Sequence, residues 1–167
     1  MERRDARMTE YEAGIARAIA ETFPFPEPIV EFGSYLVRGQ EGKANSRKFF
    51  PGKRYLGVDK RSGPGVDCVE DVESLAHANR TVGTVLAFNC FEHVPRFWLA
   101  FEEAKRILRP DGLLIVSCPF YFYIHSFPND YWRLGPRRFA CCCKKCRERS
   151  SAAMARANAP GRMGHGG

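Results

Sequence analysis

The sequence predicts an α/β fold: a doubly wound, mostly parallel sheet of about five strands with helices on both faces. Three observations carry this. The apolar stretches run continuously, as in Leu113-Leu114-Ile115-Val116, which marks strands covered on both faces. Helical periodicity separates those stretches. Glycine or polar residues then follow the strands abruptly, at Gly33, Asp59 and Asn89, where an open parallel sheet binds its ligands. The chain has 167 residues, enough for one domain with a real core, and 44% hydrophobic residues exclude a wholly disordered chain.

The elements follow in order. Tyr11, Ile15, Ala18 and Ile19 share a face at helical spacing, which predicts a helix over residues 8–21. The run Phe23-Pro24-Phe25-Pro26-Glu27-Pro28 ends it, because proline cannot continue a helix and biases its predecessor toward extended geometry. Ile29 to Phe32 is a first strand ending at Gly33. Residues 34–53 read as loop, with room for a short helix at 43–49. Tyr55 to Val58 is a second strand ending at Asp59, Val66 to Val69 a weaker third, and Val82 to Phe88 the most apolar. An amphipathic helix is expected from Pro95 to Leu108, with Phe97, Leu99 or Ala100, Ala104, Ile107 and Leu108 inward. Asp111-Gly112 reads as a turn before a fifth strand, Leu113 to Ser117.

Charge divides the chain. The formal net charge is +7, yet the 31 residues from Arg137 to Gly167 hold eight basic residues and one acid, so the rest is neutral. The expected organisation is a helix and Pro-rich linker at 1–27, a folded domain at 28–139, and a basic Cys/Ala/Gly-rich tail at 140–167. No apolar run approaches the ~20 residues of a membrane span, and the charged start lacks a signal peptide's apolar core. A reducing, cytoplasmic location with free thiols is expected. Cys141, Cys142, Cys143 and Cys146 contain one Cys-x-x-Cys but no second ligand pair, so no metal is expected.

A glycine after the first strand lets backbone approach a ligand, and an acid after the second can accept from a ribose diol. Glu31-Phe32-Gly33-Ser34-Tyr35-Leu36 does not fit the G-x-G-x-x-G that a dinucleotide pyrophosphate needs, which counts against a dehydrogenase. Val30-Glu31-Phe32-Gly33-Ser34 resembles motif I of class I S-adenosylmethionine-dependent methyltransferases. Tyr55 to Asp59 is similar to their second motif, and Val69-Glu70-Asp71-Val72-Glu73-Ser74-Leu75 to their acidic adenine-reading segment. Val82 to Pro119, with Glu92-His93-Val94 and Arg106 to Gly112, resembles the fourth and fifth motifs of the type 11 group. His125-Ser126-Phe127-Pro128-Asn129-Asp130-Tyr131-Trp132-Arg133 resembles a signature of one branch of it.

The resemblance implies a Rossmann-like fold, S-adenosylmethionine as cofactor and a methyl acceptor that is a small molecule or glycan-like. It implies that Gly33 and Ser34 line the methionine end of the cofactor with Glu31 near its amino group. Asp59 would hold the ribose hydroxyls, Asp71 the adenine amino group with Val72 packed nearby, and Asn89 with Glu92 and His93 would edge the reaction cleft. His93, His125 and Asp130 are the candidates for a base. Each has a plainer reading: Asp59 as a turn acid, Asp71 as a helix cap, His93 as a structural loop residue. Tyr121-Phe122-Tyr123 reads as an acceptor-stacking wall or as core, and Tyr131-Trp132-Arg133 as a brace with Arg133 paired to an acid.

The full class I fold has seven strands in the order 3-2-1-4-5-7-6, so the last two would lie beyond residue 139. If the cysteine codons are TGC, the segment Cys141–Cys146 read two bases later encodes Leu-Leu-Gln-Glu-Met, the kind of leucine-rich helix the family carries there. The expectation is a domain lacking the last two strands, C-terminally truncated or frame-altered near Ala140. The alternative is a non-catalytic Rossmann-like binding module, with nucleic acid contacted only through the basic tail.

Overall fold

A computed structural model describes residues 10–37, 41–125, 129–138 and 142. The chain divides into two units, Met1–Leu134 and Gly135–Gly167. In the second, residues 136–138 form a helical turn; the expected basic tail and the expected lack of two further strands both fall outside the described residues.

The first unit is the expected α/β sheet. Its strands are β1 (Ile29–Phe32), β2 (Tyr55–Asp59), β3 (Cys68–Val69), β4 (Val82–Phe88) and β5 (Leu108–Ser117), and its helices α1 (Glu10–Thr22), α2 (Glu41–Ala44) and α3 (Phe97–Ile107). The order is β3-β2-β1-β4-β5, with every neighbouring pair parallel. Chain direction across the sheet reverses between β1 and β4, the place where such folds open a crevice at the strands' carboxyl ends. Ile29, Val30, Phe32, Val58, Val85, Leu86 and Ala87 are fully buried, which accounts for their continuous apolar runs.

Five boundaries or faces differ from the sequence expectation. On α1 the buried residue is Ala16, while Ile15 is 42% exposed and Ala18 also faces water. Ile19 and Ala20 pack on a cluster of Phe25, Ile29, Phe50, Tyr55 and Leu86, so docking on these rings selects the helix face. α3 buries Phe97, Ala100, Phe101, Ala104 and Ile107; Phe101 was not anticipated, and Leu108 already belongs to the next strand. β5 starts at Leu108 because that residue pairs with Val82, and the expected Asp111-Gly112 turn becomes an irregularity before Leu113 meets Thr84. β3 keeps only two residues. Asp67 is drawn away to β2, its backbone N–H donating to Gly57 O at 2.8 Å and its carboxylate accepting from Gly57 N at 2.7 Å. The short helix expected at 43–49 is a 3-10 turn, Ser46–Phe49, whose start is capped by Asn45 accepting from Arg47 N.

One side chain ties α3 to the loop before β4. Arg106 donates to Leu75 O, His77 O and Asn79 Oδ1 at 2.7–2.9 Å and forms a two-pronged pair with Glu103. Glu103 also accepts from Leu75 N. Arg106→Ala is expected to cost about 2 kcal/mol, since carbonyls lose charged donors. The Arg106 hydrogen bonds hold the Glu103 carboxyl below its ordinary range. The stabilisation is therefore complete above the unfolded carboxyl value and lost as pH falls through the lower folded one. Acid denaturation of the parent should show a component in that range that an Arg106→Ala variant lacks, read by urea melts at pH 3 to 6.

Candidate functional site

β1, β2 and β4 end side by side, and each delivers residues singled out in the sequence. After β1 the chain turns at Gly33 with φ +73°, a left-handed conformation that side chains rarely adopt; a Cβ there would lie 2.9 Å from Cys90 Sγ. The backbone N–H groups of Gly33 and Ser34 both donate to Val58 O, so they are spent on β2 and do not form an open anion cradle. This fits the departure from a glycine-rich phosphate loop. Ser34 is buried, and its Oγ has no hydrogen-bond partner among the described residues. Glu31 lies beside the hydroxyls of Ser46 and Tyr55; burial pushes its carboxyl up.

Asp59 closes β2 at 6% exposure. Arg61 covers it: the backbone N–H and Nε both donate to Oδ1, and the second guanidinium prong reaches Oδ2 at 3.2 Å. The same guanidinium stacks on the Tyr35 ring at 4.2 Å from its centre. Arg61 was not singled out in the sequence, where a basic residue two positions after an acid is unremarkable. Asp71 is exposed and accepts from Glu73 N at 2.9 Å, the turn-acid geometry; Val72 beside it is buried.

Asn89 ends β4 with φ +46°, its backbone N–H donating to Ser117 O and its Oδ1 accepting from Ser117 Oγ at 3.3 Å. A 3-10 turn, Phe91–His93, follows. It plants Glu92 in the interior at 0% exposure, anchored by Phe91 packing on Phe101 with ring centres 4.6 Å apart. Neither Glu92 carboxylate oxygen has a hydrogen-bond partner among the described residues, and desolvation raises its carboxyl to about 7.

The loop after β5 folds back over this turn. Tyr131 N donates to Glu92 O at 2.7 Å, and the Trp132 indole donates to Val94 O and Pro95 O while its ring meets Phe97 and Trp98. Arg133 grips both Asp130 oxygens and also donates to Tyr123 O and Phe122 O. That pairing holds the Asp130 carboxyl down at about 2. Asp130 in turn accepts from His125 N at 2.8 Å and lies 3.0 Å from His125 Nδ1. The His125 and His93 rings stand edge to face with centres 5.0 Å apart. His93 Nδ1 faces Asn129 O, and burial lowers its pKa.

The three candidates for a base therefore come together, although 37 positions separate His93 from Asp130. The core reading of the aromatic run fails: Tyr121 is 98% exposed, and Phe122 and Tyr123 about half. Trp132 and Arg133 brace the loop, with Arg133 paired to an acid as expected. The Cys141–Cys146 cluster lies outside the described residues, apart from Cys142.

Residues 47–116 match the family model described as "Methyltransferase domain". No curated protein sequence matches the chain. Among solved structures, it is similar to a methyltransferase seen in complex with the Haloferax volcanii Trm112 methyltransferase activator, at 17% identity and a TM-score of 0.59, covering 83% of this chain and 70% of that one. A SAM-dependent methyltransferase from Aquifex aeolicus is 12% identical with a TM-score of 0.55, each chain covered to 78%. The [4+2]-cyclase SpnF is 13% identical with a TM-score of 0.61, over 85% of this chain and 58% of that one. These likenesses establish the fold, which the cyclase shares. No helix among the described residues is long and apolar enough to cross a membrane. Sheet order and the solved structures agree on a Rossmann-like fold, and within it residues 47–116 match the methyltransferase-domain model.

Proposed function

We propose that this chain binds S-adenosylmethionine across the ends of β1, β2 and β4 and transfers its methyl group to a hydroxyl of a small or glycan-like acceptor. The observation that carries the reading is the buried Asp59 carboxylate at the end of β2, beside a Gly33 turn that a Cβ would fill. The residues fit the cofactor in three further respects. Ser34 offers a buried hydroxyl lacking a partner, Val72 a buried apolar contact beside the Asp71 carboxylate, and Asn89 a polar edge to the crevice.

The cofactor supplies a sulfonium methyl that is already electrophilic. The protein's part is then orientation and exclusion of water. Asp59 accepts the two ribose hydroxyls once Arg61 yields its oxygens, and Gly33 allows the backbone to approach the methionine end. Proton removal from the acceptor falls to the His93–His125 group. Asp130, with both oxygens held by Arg133, acts by orienting His125 rather than by taking the proton. The exposed rings of Phe122 and Tyr123, with centres 5.6 and 6.2 Å from that of His125, offer flat faces on which a sugar or aromatic acceptor can stack.

Isothermal titration with S-adenosylmethionine tests the reading: a folded sample that takes up none of it overturns the proposal. Arg61→Ala sharpens the test. Because the guanidinium occupies the carboxylate that must receive the ribose, removing it should tighten cofactor binding roughly 3–10-fold. A weaker affinity would show instead that Arg61 holds the cofactor.

A further inference from the structure

We propose that Glu92, His93 and His125 form a binding site for one divalent first-row transition-metal ion of the kind that takes mixed nitrogen and oxygen ligands, zinc being the ion to probe it with. One ligand atom from each residue lies within 4.8 Å of the others, and His93 Nε2 is 3.9 Å from Glu92 Oε1. Two imidazoles and a carboxylate are the donor set of open catalytic metal sites, in which water or substrate takes the remaining positions.

Three features distinguish this group from a chance cluster of surface acids. The first is Glu92 itself. Its side chain is wholly buried, yet both oxygens lack a hydrogen-bond partner among the described residues. A buried carboxylate in a native fold is normally paired or metal-bound. The Arg133 guanidinium, whose charge reaches Glu92, is committed to Asp130 and to backbone carbonyls. The neighbouring Cys118 offers at most a thiol, which is a weak donor.

The second feature is how the histidines are oriented. His93 Nδ1 faces the Asn129 carbonyl, and His125 Nδ1 lies between the Asp130 carboxylate at 3.0 Å and the Tyr123 carbonyl at 3.4 Å. Carbonyl and carboxylate oxygens only accept, so Nδ1 carries the proton in both rings and Nε2 keeps its lone pair. An imidazole fixed through Nδ1–H to a carboxylate or carbonyl is the arrangement that orients metal-ligating histidines. The third is rigidity behind the ligands. Asp130 is clamped by Arg133, and the Trp132 and Tyr131 hydrogen bonds tie the loop to the turn carrying Glu92 and His93. Ligands bound to zinc at ~2.0–2.2 Å sit closer together than 4.8 Å, so loading draws the three donors inward by about 1 Å.

The site stands on these residues alone. Only its use rests on the methyltransferase reading: with both Nε2 atoms on the ion, the metal would hold and acidify the acceptor hydroxyl in place of direct proton removal by the histidines. Full-length protein, stripped with a chelator, would be titrated with zinc against a chromogenic chelator. The same titration would be run on a variant with Cys141, Cys142, Cys143 and Cys146 changed to serine, which removes thiols that could bind zinc independently. The expected result is one zinc per chain in both proteins. Glu92→Gln and His125→Ala, each made in the serine background, should weaken it at least 100-fold. Binding that disappears with the four cysteines, or that survives both substitutions, overturns the proposal. Should either variant fail to fold, cobalt loading of the serine background decides the matter. Visible bands without thiolate charge transfer support a nitrogen–oxygen site, and their absence refutes it. Neither readout needs S-adenosylmethionine, so a failed metal titration leaves the cofactor reading standing, and a failed cofactor titration leaves the metal site standing.

Discussion

Asp59→Ala is expected to weaken S-adenosylmethionine binding by at least ~100-fold, with little change in thermal stability. A carboxylate that accepts two ribose hydroxyls makes two charge-assisted hydrogen bonds, each worth about 1.5–3 kcal/mol, and ~3 kcal/mol already corresponds to more than a hundredfold in affinity. The side chain is almost fully buried, so water cannot readily replace it as an acceptor. The fold loses less. Arg61, Asp59's partner, has about a third of its side chain in solvent and can turn outward, so the broken pair costs roughly 1 kcal/mol or less. Asp59→Asn keeps the shape and loses the charge, and should fall between, near tenfold. Titration calorimetry paired with thermal melts separates these outcomes. Unchanged affinity in the alanine variant would show that the ribose is held elsewhere.

The second large effect is on stability. Gly57→Ala is expected to cost about 3 kcal/mol and to lower Tm by roughly 10 °C. Gly57 sits in β2 opposite Glu31 of β1, and a Cβ there would lie 2.1 Å from Gly65 O, 2.6 Å from Ser34 Oγ and 2.8 Å from Ser34 Cβ. None of these can step aside cheaply. Ser34 N is bonded to Val58 O, and the chain around Gly65 is pinned by Leu36 N to Pro64 O and Asp67 N to Gly57 O. Relief therefore requires moving backbone, which pushes Ser34 and the 61–67 loop away from the cofactor end. Cofactor affinity should fall along with Tm. A variant as stable as the parent would mean that this backbone is looser than its hydrogen bonds imply.

β1, β2 and β4 were legible from residue identity because burial on both faces leaves no alternation to misread. β5 was less so. Arg109-Pro110-Asp111-Gly112 carries turn chemistry, and only pairing with Val82 brings Leu108 into the strand ahead of it. β3 shrank because Asp67 serves β2 with both backbone and side chain, a partnership across ten positions that propensity does not encode. On α1 the spacing pointed to Ile15 and Ala18, whereas the helix packs through Ala16, Ile19 and Ala20; a helix with apolar residues on more than one side takes the face its neighbour offers.

The candidate site divides in the same way. Gly33, Asp59 and Asn89 stand at strand ends, and strand ends are local features that one sequence can reveal. By itself the sequence determined the α/β class, the succession of strands and which polar residues close them, because each depends on a few neighbouring side chains. What depends on exclusion of water was decided only by the tertiary structure. Arg61 covers Asp59, Arg133 takes up Asp130, and buried Glu92 has no hydrogen-bond partner among the described residues, beside two histidines 32 positions apart. Ligand spacing along the chain points to the cysteines and not to that group. Whether a carboxylate is solvated, paired or left unpaired is set by the whole fold around it, and no local pattern of residues records it.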